Sequence, residues 1–347
     1  MASFAAPFST TGIGTLPTPQ VSEACRFVFG CGLDIPFWPQ LPACGFLEQM
    51  IPQFAHDLPG AHIDLPGRRV WFDLGNQRPE LLGDFYQKYL QDNPDLFPLA
   101  PSVAAGFAPF LELARSAALP ALKGHVTGPF TIGLGLNDQT GRPIYYDAEL
   151  RDVLVKALTL KGLWQIQQLK PLCQQPVIFI DEPILSAIGT PAYLAVGPGD
   201  VVELIGQIVE PLRKAGAVVG LHCCGNTDWA TVVQTGIHIV SFDAFGYARS
   251  LSLYPEALLA FLDRGGMLAW GIVPTSSADA LAAADVPSLR AKLEQGMKML
   301  VDKGADAEVV RSQSLLTPSC GCGPLPTMAH AHRVFELLRH LRDQMRG

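Results

Sequence analysis

The chain has 347 residues, of which 48% are hydrophobic and 16% charged, with a formal net charge of −7. That apolar share excludes global disorder, and the acidic balance argues against nucleic acid or an anionic membrane surface as partner. The length is generous for an ordinary domain and suits one α/β barrel, typically about 250 residues plus insertions.

The opening MASFAAPFSTTGIG has no basic stretch followed by an apolar core, so no secretory signal is expected. Uncharged stretches such as Pro183 to Gly199 are broken by Pro and Gly, so no membrane span is expected either. The eight cysteines are then expected to be reduced, favouring burial or metal binding in a soluble cytoplasmic enzyme.

In chain order, GIGTLP (12–17) reads as a short strand entering a Gly-punctuated turn, and VSEACRFVFG (21–30) as a helix with Ser22 as N-cap. DIPFWPQLP (34–42) reads as a second strand interrupted by prolines, followed by the helical FLEQMIPQF. AHIDLPGRRVWFDL (61–74) alternates around Pro-Gly and predicts a β-hairpin insertion. Residues 79–95 predict a helix with Leu81, Leu82, Phe85, Tyr89 and Leu90 on one side. A third strand and a Gly-rich mouth occupy 121–135, and 148–170 predicts an amphipathic helix.

PVIFIDEP (176–183) is a fourth strand ending in Asp181 and Glu182, with a return helix over 201–216 stopped by Gly216. The runs Ala217–Leu221 and Ile237–Phe242 are short and β-branched, as buried parallel strands are. The first stops at His222, Cys223 and Cys224, the second at Asp243. A seventh strand falls at 266–275, with a helix over 288–304. LLTPSC (315–320) is an eighth strand, followed by Cys322, and a basic helix over 328–345 closes the chain. Eight strand–helix alternations without a linker predict a single (β/α)8 TIM barrel over 1–347 with a hairpin insertion near 61–74. A doubly wound open sheet is the alternative, but no GxGxxG follows the first strand.

Carboxyl ends of parallel strands are where such folds place chemistry. Three of these ends carry soft or acidic metal ligands: His222 and Cys224, Asp243, and Cys320 with Cys322 as its competitor. Zinc takes Cys thiolate and His nitrogen, and a catalytic site keeps one position open. Cys320 is too distant from Cys224 for a zinc-finger pairing, which suits ligands gathered around a barrel rim. Cys223 is expected to face the barrel wall. His125 and His238 read as core histidines, the former hydrogen-bonded. His330, His332 and His340 read as surface residues, and Trp38 as packing.

LHCCGNT (221–227) and LTPSCGCGPLPT (316–327) resemble the zinc-dependent thiol methyltransferases of the uroporphyrinogen decarboxylase and methionine synthase superfamily. TGIGTLP (11–17), KGHVTGPFTI (123–132), FIDEP (179–183) and VSFDAF (240–245) are similar to segments of cobalamin-independent methionine synthase. The resemblance implies a barrel holding Zn²⁺ through His222, Cys224 and Cys320. The family's acidic ligand falls at Asp243, where Asp is one methylene shorter than the family's Glu, so direct ligation and a supporting role both stay open. The resemblance further implies substrate binding by Ile13, Gly14, Thr15, Asp181 and Glu182. Asp181 would hold the amino group of homocysteine, and the 13–15 backbone its carboxylate.

The implied activity is methyl transfer to a small-molecule thiol, homocysteine above all, giving methionine. The amino-terminal half of the methionine synthases is missing, which favours a methylated corrinoid on a partner protein over methyl-folate as donor. The alternatives are a methylcorrinoid:coenzyme M type of transferase, a uroporphyrinogen decarboxylase-like enzyme, a zinc hydrolase using Glu182 or Asp228 as base, and a non-catalytic corrinoid- or zinc-binding protein.

Overall fold

The structure, a computed structural model, describes residues 6–117 and 119–347. Its strands are β1 (Ser9–Thr10), β2 (Ala61–Asp64), β3 (Arg69–Phe72), β4 (Leu119–Thr127), β5 (Cys173–Asp181), β6 (Val218–Cys223), β7 (Ile239–Phe242), β8 (Met267–Val273) and β9 (Ser314–Pro318). Seven of them form one sheet in the order β1-β9-β8-β7-β6-β5-β4, with every pairing parallel. Strands covered on both faces need near-continuous apolar runs, and β6 through β9 are buried along their whole length. β2 and β3 pair antiparallel, from Ala61 against Phe72 to Asp64 against Arg69, forming the expected hairpin.

The two edges of the sheet, β1 and β4, face the same extended segment. Ile35 N–H donates to Thr10 O (3.0 Å), Trp38 N–H to Lys123 O (3.2 Å), and Lys123 N–H to Pro36 O (2.8 Å). Pro36 and Pro39 lack the N–H a regular ladder requires, so these contacts remain isolated bridges. The second strand expected over 34–42 is therefore not formed as a strand. The result is a curled parallel half-barrel of seven strands wrapped in helices.

Its inner lining is a cluster separate from the main core, with Ile35, Ala121, Val177, Phe179, Ile239 and Leu315 among its members. Lys123 is fully buried. Its Nζ lies 4.5 Å from the centroid of the Phe179 ring and donates to Ile13 O at 2.6 Å.

Several local expectations shift. The first strand is Ser9–Thr10 rather than 12–17, which leaves Gly12 to Leu16 as a loop beyond it. The first helix, Val21–Gly30, begins after Gln20 with no side-chain cap, and Ser22 lies inside it. Residues 129–135 form a short helix, Pro129–Gly135, where a Gly-rich mouth was expected. The helix Ala148–Leu169 buries Leu150, Val155 and Leu160, which point in well-separated directions at 100° per residue. It is packed on several sides, against β4, β5 and the helix Pro198–Lys214, so its amphipathic reading does not hold. Among the described residues no helix is long and apolar enough to cross a membrane.

The β8–β9 ladder shifts register between Gly271 and Val273. A Cβ on Gly271 would stand 2.4 Å from Phe242 O and 2.9 Å from Ser319 Cα, both backbone atoms that cannot swing away. Gly271→Ala is therefore predicted to destabilise the fold by about 1–3 kcal/mol. Urea unfolding checks this, and an unchanged midpoint would contradict the close packing.

Candidate metal centre

Parallel strands deliver their carboxyl ends to one side of the sheet. Along β6, alternate side chains share a face, and Gly220 opens onto the inner ring of Phe179. His222 falls on that same inner face. Cys223 therefore turns the other way: it is fully buried, its thiol is pushed up to about 12 by burial, and its Sγ lies 3.6 Å from Gly225 O. Cys224 follows just past the strand, and Cys320 lies two residues beyond β9.

One ligand atom each from His222, Cys224 and Cys320 lie within 4.8 Å of one another. Tetrahedral zinc with Zn–S near 2.3 Å and Zn–N near 2.0 Å would set such atoms roughly 3.5–3.8 Å apart, so a small inward movement of side chains suffices. His222 Nδ1 lies 3.0 Å from Ser241 Oγ, while its Nε2 is buried with no hydrogen-bond partner. Such an outer partner fixes the tautomer of a metal-ligating imidazole. An orphaned nitrogen beside two sulfurs fits a cation, and the cluster can hold a metal ion.

The sulfurs are already polarised. Cys224 is pulled down to about 4, first by a hydrogen bond from Cys320 and then by His222. Cys320 is pushed well up by the same hydrogen bond and by burial. The shifts run in opposite directions, favouring the thiolate at Cys224 and the thiol at Cys320. Cys322 is not among these three; it is buried, and burial pushes its thiol up to about 12.

A cavity of about 380 Å³ opens beside the cluster, lined by Ile13, Gly14, Thr15, Gln40, Gln49, Met50, Asp181, His222, Cys224, Cys320, Gly321 and Gly323, among others. Among the described residues, the amide N–H groups of Ile13, Gly14 and Thr15 have no hydrogen-bond partner. Asp181 sits at the end of β5 with Oδ1 unpartnered. Burial pushes its carboxyl up to about 6, against the pull of Lys123 and His222.

Two expected site residues act as helix caps. Glu182 does not line the cavity; it is fully buried and accepts from Phe130 N–H (2.8 Å), Thr131 N–H (2.9 Å) and Thr131 Oγ1–H (2.5 Å). It thereby caps the helix Pro129–Gly135, whose own N-cap, Gly128, has no side chain to offer. Asp243 caps Ala244–Tyr247 by accepting from Gly246 N–H at 2.7 Å and is not part of the three-residue cluster. Burial raises its carboxyl, and the nearby His222 opposes that.

His125 also departs from expectation. Its backbone is bonded by Gln165, but neither ring nitrogen has a partner. The ring stacks on Trp38 at 4.1 Å, and burial holds its pKa well below the ordinary value. Trp38 is packed, donating to Gln165 Oε1 at 2.9 Å. His238 is structural: its Nδ1 accepts from Val219 N–H at 3.0 Å.

Sequence reasoning missed Ser241 and Lys123. Both were open to it: Ser241 stands on β7 two residues before Asp243, and Lys123 opens the KGHVTGPFTI segment.

No protein-family model matches the chain, and neither does any curated protein. Among solved structures, a methyltransferase from Methanosarcina mazei superposes with a TM-score of 0.53 over 99% of this chain and 95% of that one, at 13% identity. At that identity the likeness speaks for the fold.

In metal-free protein, ultraviolet thiolate absorbance should show about one thiolate per chain at about pH 6, lost as pH falls through about 4. Cys320→Ala removes the donor, so the loss should move to higher pH. Protein with no thiolate below neutral pH would contradict the paired-sulfur description.

Proposed function

We propose that this chain transfers a methyl group to a thiol, with Zn²⁺ held by His222, Cys224 and Cys320. The fold read here is a (β/α)8 barrel in which the extended 35–40 segment takes the eighth strand's place. The observation that carries the reading is the convergence of an orphaned His222 Nε2 with two sulfurs beside a cavity. A fold shared with a methyltransferase is consistent with it.

Bound there, zinc would supply the positive charge that lets an incoming thiol shed its proton near neutral pH. Two cysteine ligands keep the net charge of the centre low, so an incoming sulfur would remain nucleophilic. Ser241 Oγ, 3.0 Å from His222 Nδ1, would accept Nδ1–H and so leave Nε2 unprotonated for the metal.

The substrate favoured is homocysteine. Asp181 would take its ammonium group through a charge-assisted hydrogen bond. The unpaired N–H groups of Ile13, Gly14 and Thr15 would face its carboxylate. With both ends held, the sulfur meets the methyl carbon in line, and positioning supplies most of the rate. The methyl group passes without its bonding electrons, which stay on the donor. A methylated corrinoid carried by a partner protein is the favoured donor and methyl-folate the alternative. Asp243, already engaged as a helix cap, is assigned a place beside the centre.

Purified protein incubated with zinc, homocysteine and methylcobalamin or methyl-folate is expected to form methionine. No product from either donor would contradict the assignment. Asp181→Asn is expected to raise KM for homocysteine about 10- to 100-fold, since a hydrogen bond to a charged group contributes about 1.5–3 kcal/mol, while bound zinc is unchanged. An unaltered KM would remove Asp181 from amine binding.

A further inference from the structure

Cys320 sits between two anchors. Upstream, Ser319 N–H donates to Val273 O at 2.8 Å, continuing the β8–β9 ladder. Downstream, the chain is tied to the opposite terminus of the molecule. Cys322 N–H donates to Thr15 O at 2.9 Å, and Gly323 N–H donates to Thr15 Oγ1 at 3.1 Å. The contact is close enough to dictate sequence: a Cβ on Gly321 would fall 1.9 Å from Thr15 Oγ1. One on Gly323 would lie 3.2 Å from Thr15 Cβ.

Thr15 is itself held. Gln40 N–H donates to Gly14 O (3.0 Å) and Leu16 N–H to Gln40 O (3.1 Å), bracketing Thr15 on both sides. Lys123 Nζ fastens Ile13 O from below. A fixed residue therefore grips the three residues that follow Cys320.

We propose that Thr15 is a positioning residue for the metal centre: its hydroxyl and carbonyl clamp the Gly321–Gly323 backbone and so aim Cys320 Sγ at His222 and Cys224. This rests on the metal reading above. It gives the Thr15 side chain a task separate from the backbone contact with substrate, and it explains why a glycine stands on each side of Cys322. The hydroxyl accepts from Gly323 N–H, so serine can replace threonine, while valine keeps the shape and loses the acceptor.

The test is zinc affinity by competition with a chromophoric chelator, together with the thiolate-to-cobalt charge-transfer band of Co²⁺-loaded protein. Thr15→Val is expected to weaken zinc about 10- to 100-fold, the usual range for losing a partner that orients a ligand. Its cobalt band should fall toward that of a single thiolate, and Thr15→Ser should restore both readings. Zinc affinity and a cobalt band in Thr15→Val equal to those of the unmodified protein would overturn the proposal. If Thr15→Val does not fold, Gly321→Ala tests the same contact from its other side, and unchanged affinity there overturns it equally. Cys320→Ser separates the two levels. Tight zinc lost in Cys320→Ser but kept in Thr15→Val removes only the clamp. An unmodified protein that binds no zinc, or a Cys320→Ser variant that binds it as tightly, removes the metal reading and the clamp together.

Discussion

Curvature of the sheet is the constraint from which the site follows. β6 and β9 are separated by β7 and β8 in the sheet, so in a flat sheet their ends would stand about 14 Å apart at the usual strand spacing. Yet ligand atoms carried just past those ends lie within 4.8 Å of one another. Only a sheet that curls far enough for residues at its rim to point at a common centre can do this. The curl is maintained where β1 and β4 both bond to the 35–40 segment, and by the inner lining that fills the space beneath.

Two of the buried polar atoms left without partners stand at the cavity beside the sulfurs. A buried donor or acceptor that goes unpaired costs about 1–3 kcal/mol, and both His222 Nε2 and Asp181 Oδ1 are in that condition. They border the same cavity. Away from it, buried charge is answered: three hydrogen bonds meet Glu182, and Asp57 meets Lys161. The ring nitrogens of His125 and Thr317 Oγ1 are also unpartnered but lie outside that lining, so it is the grouping of His222 and Asp181 with two sulfurs around one cavity that suits the proposed cation and charged group. The sulfurs point the same way, since their closeness favours the thiolate at Cys224 and the thiol at Cys320.

Legibility in the sequence followed the physics of each element. β6 and β7 were readable because a strand buried on both faces must be nearly all apolar, and an abrupt His-Cys-Cys or Asp at its end stands out. The hairpin was readable from alternation around Pro-Gly. The 34–42 segment was misread because its extended character is visible, while the loss of ladder bonds at Pro36 and Pro39 depends on which neighbours it meets. Glu182 and Asp243 show the other limit. A carboxylate at a strand end has the same signature whether it faces a cavity or caps a helix on the next element, and both are helix caps here. Cys320 and Cys322 were likewise equivalent on paper. Only Cys320 falls in the cluster with His222 and Cys224, and the loop that carries both cysteines is bonded to Thr15, 308 residues away in the chain, which no local pattern reveals.

The most direct test of the central claim is the X-ray absorption spectrum of zinc-loaded protein, compared with that of Cys320→Ser. The account predicts one zinc per chain with two sulfur neighbours and at least one imidazole, and one sulfur in the variant. A zinc shell of nitrogen and oxygen alone, or a sulfur count indifferent to Cys320, would contradict it.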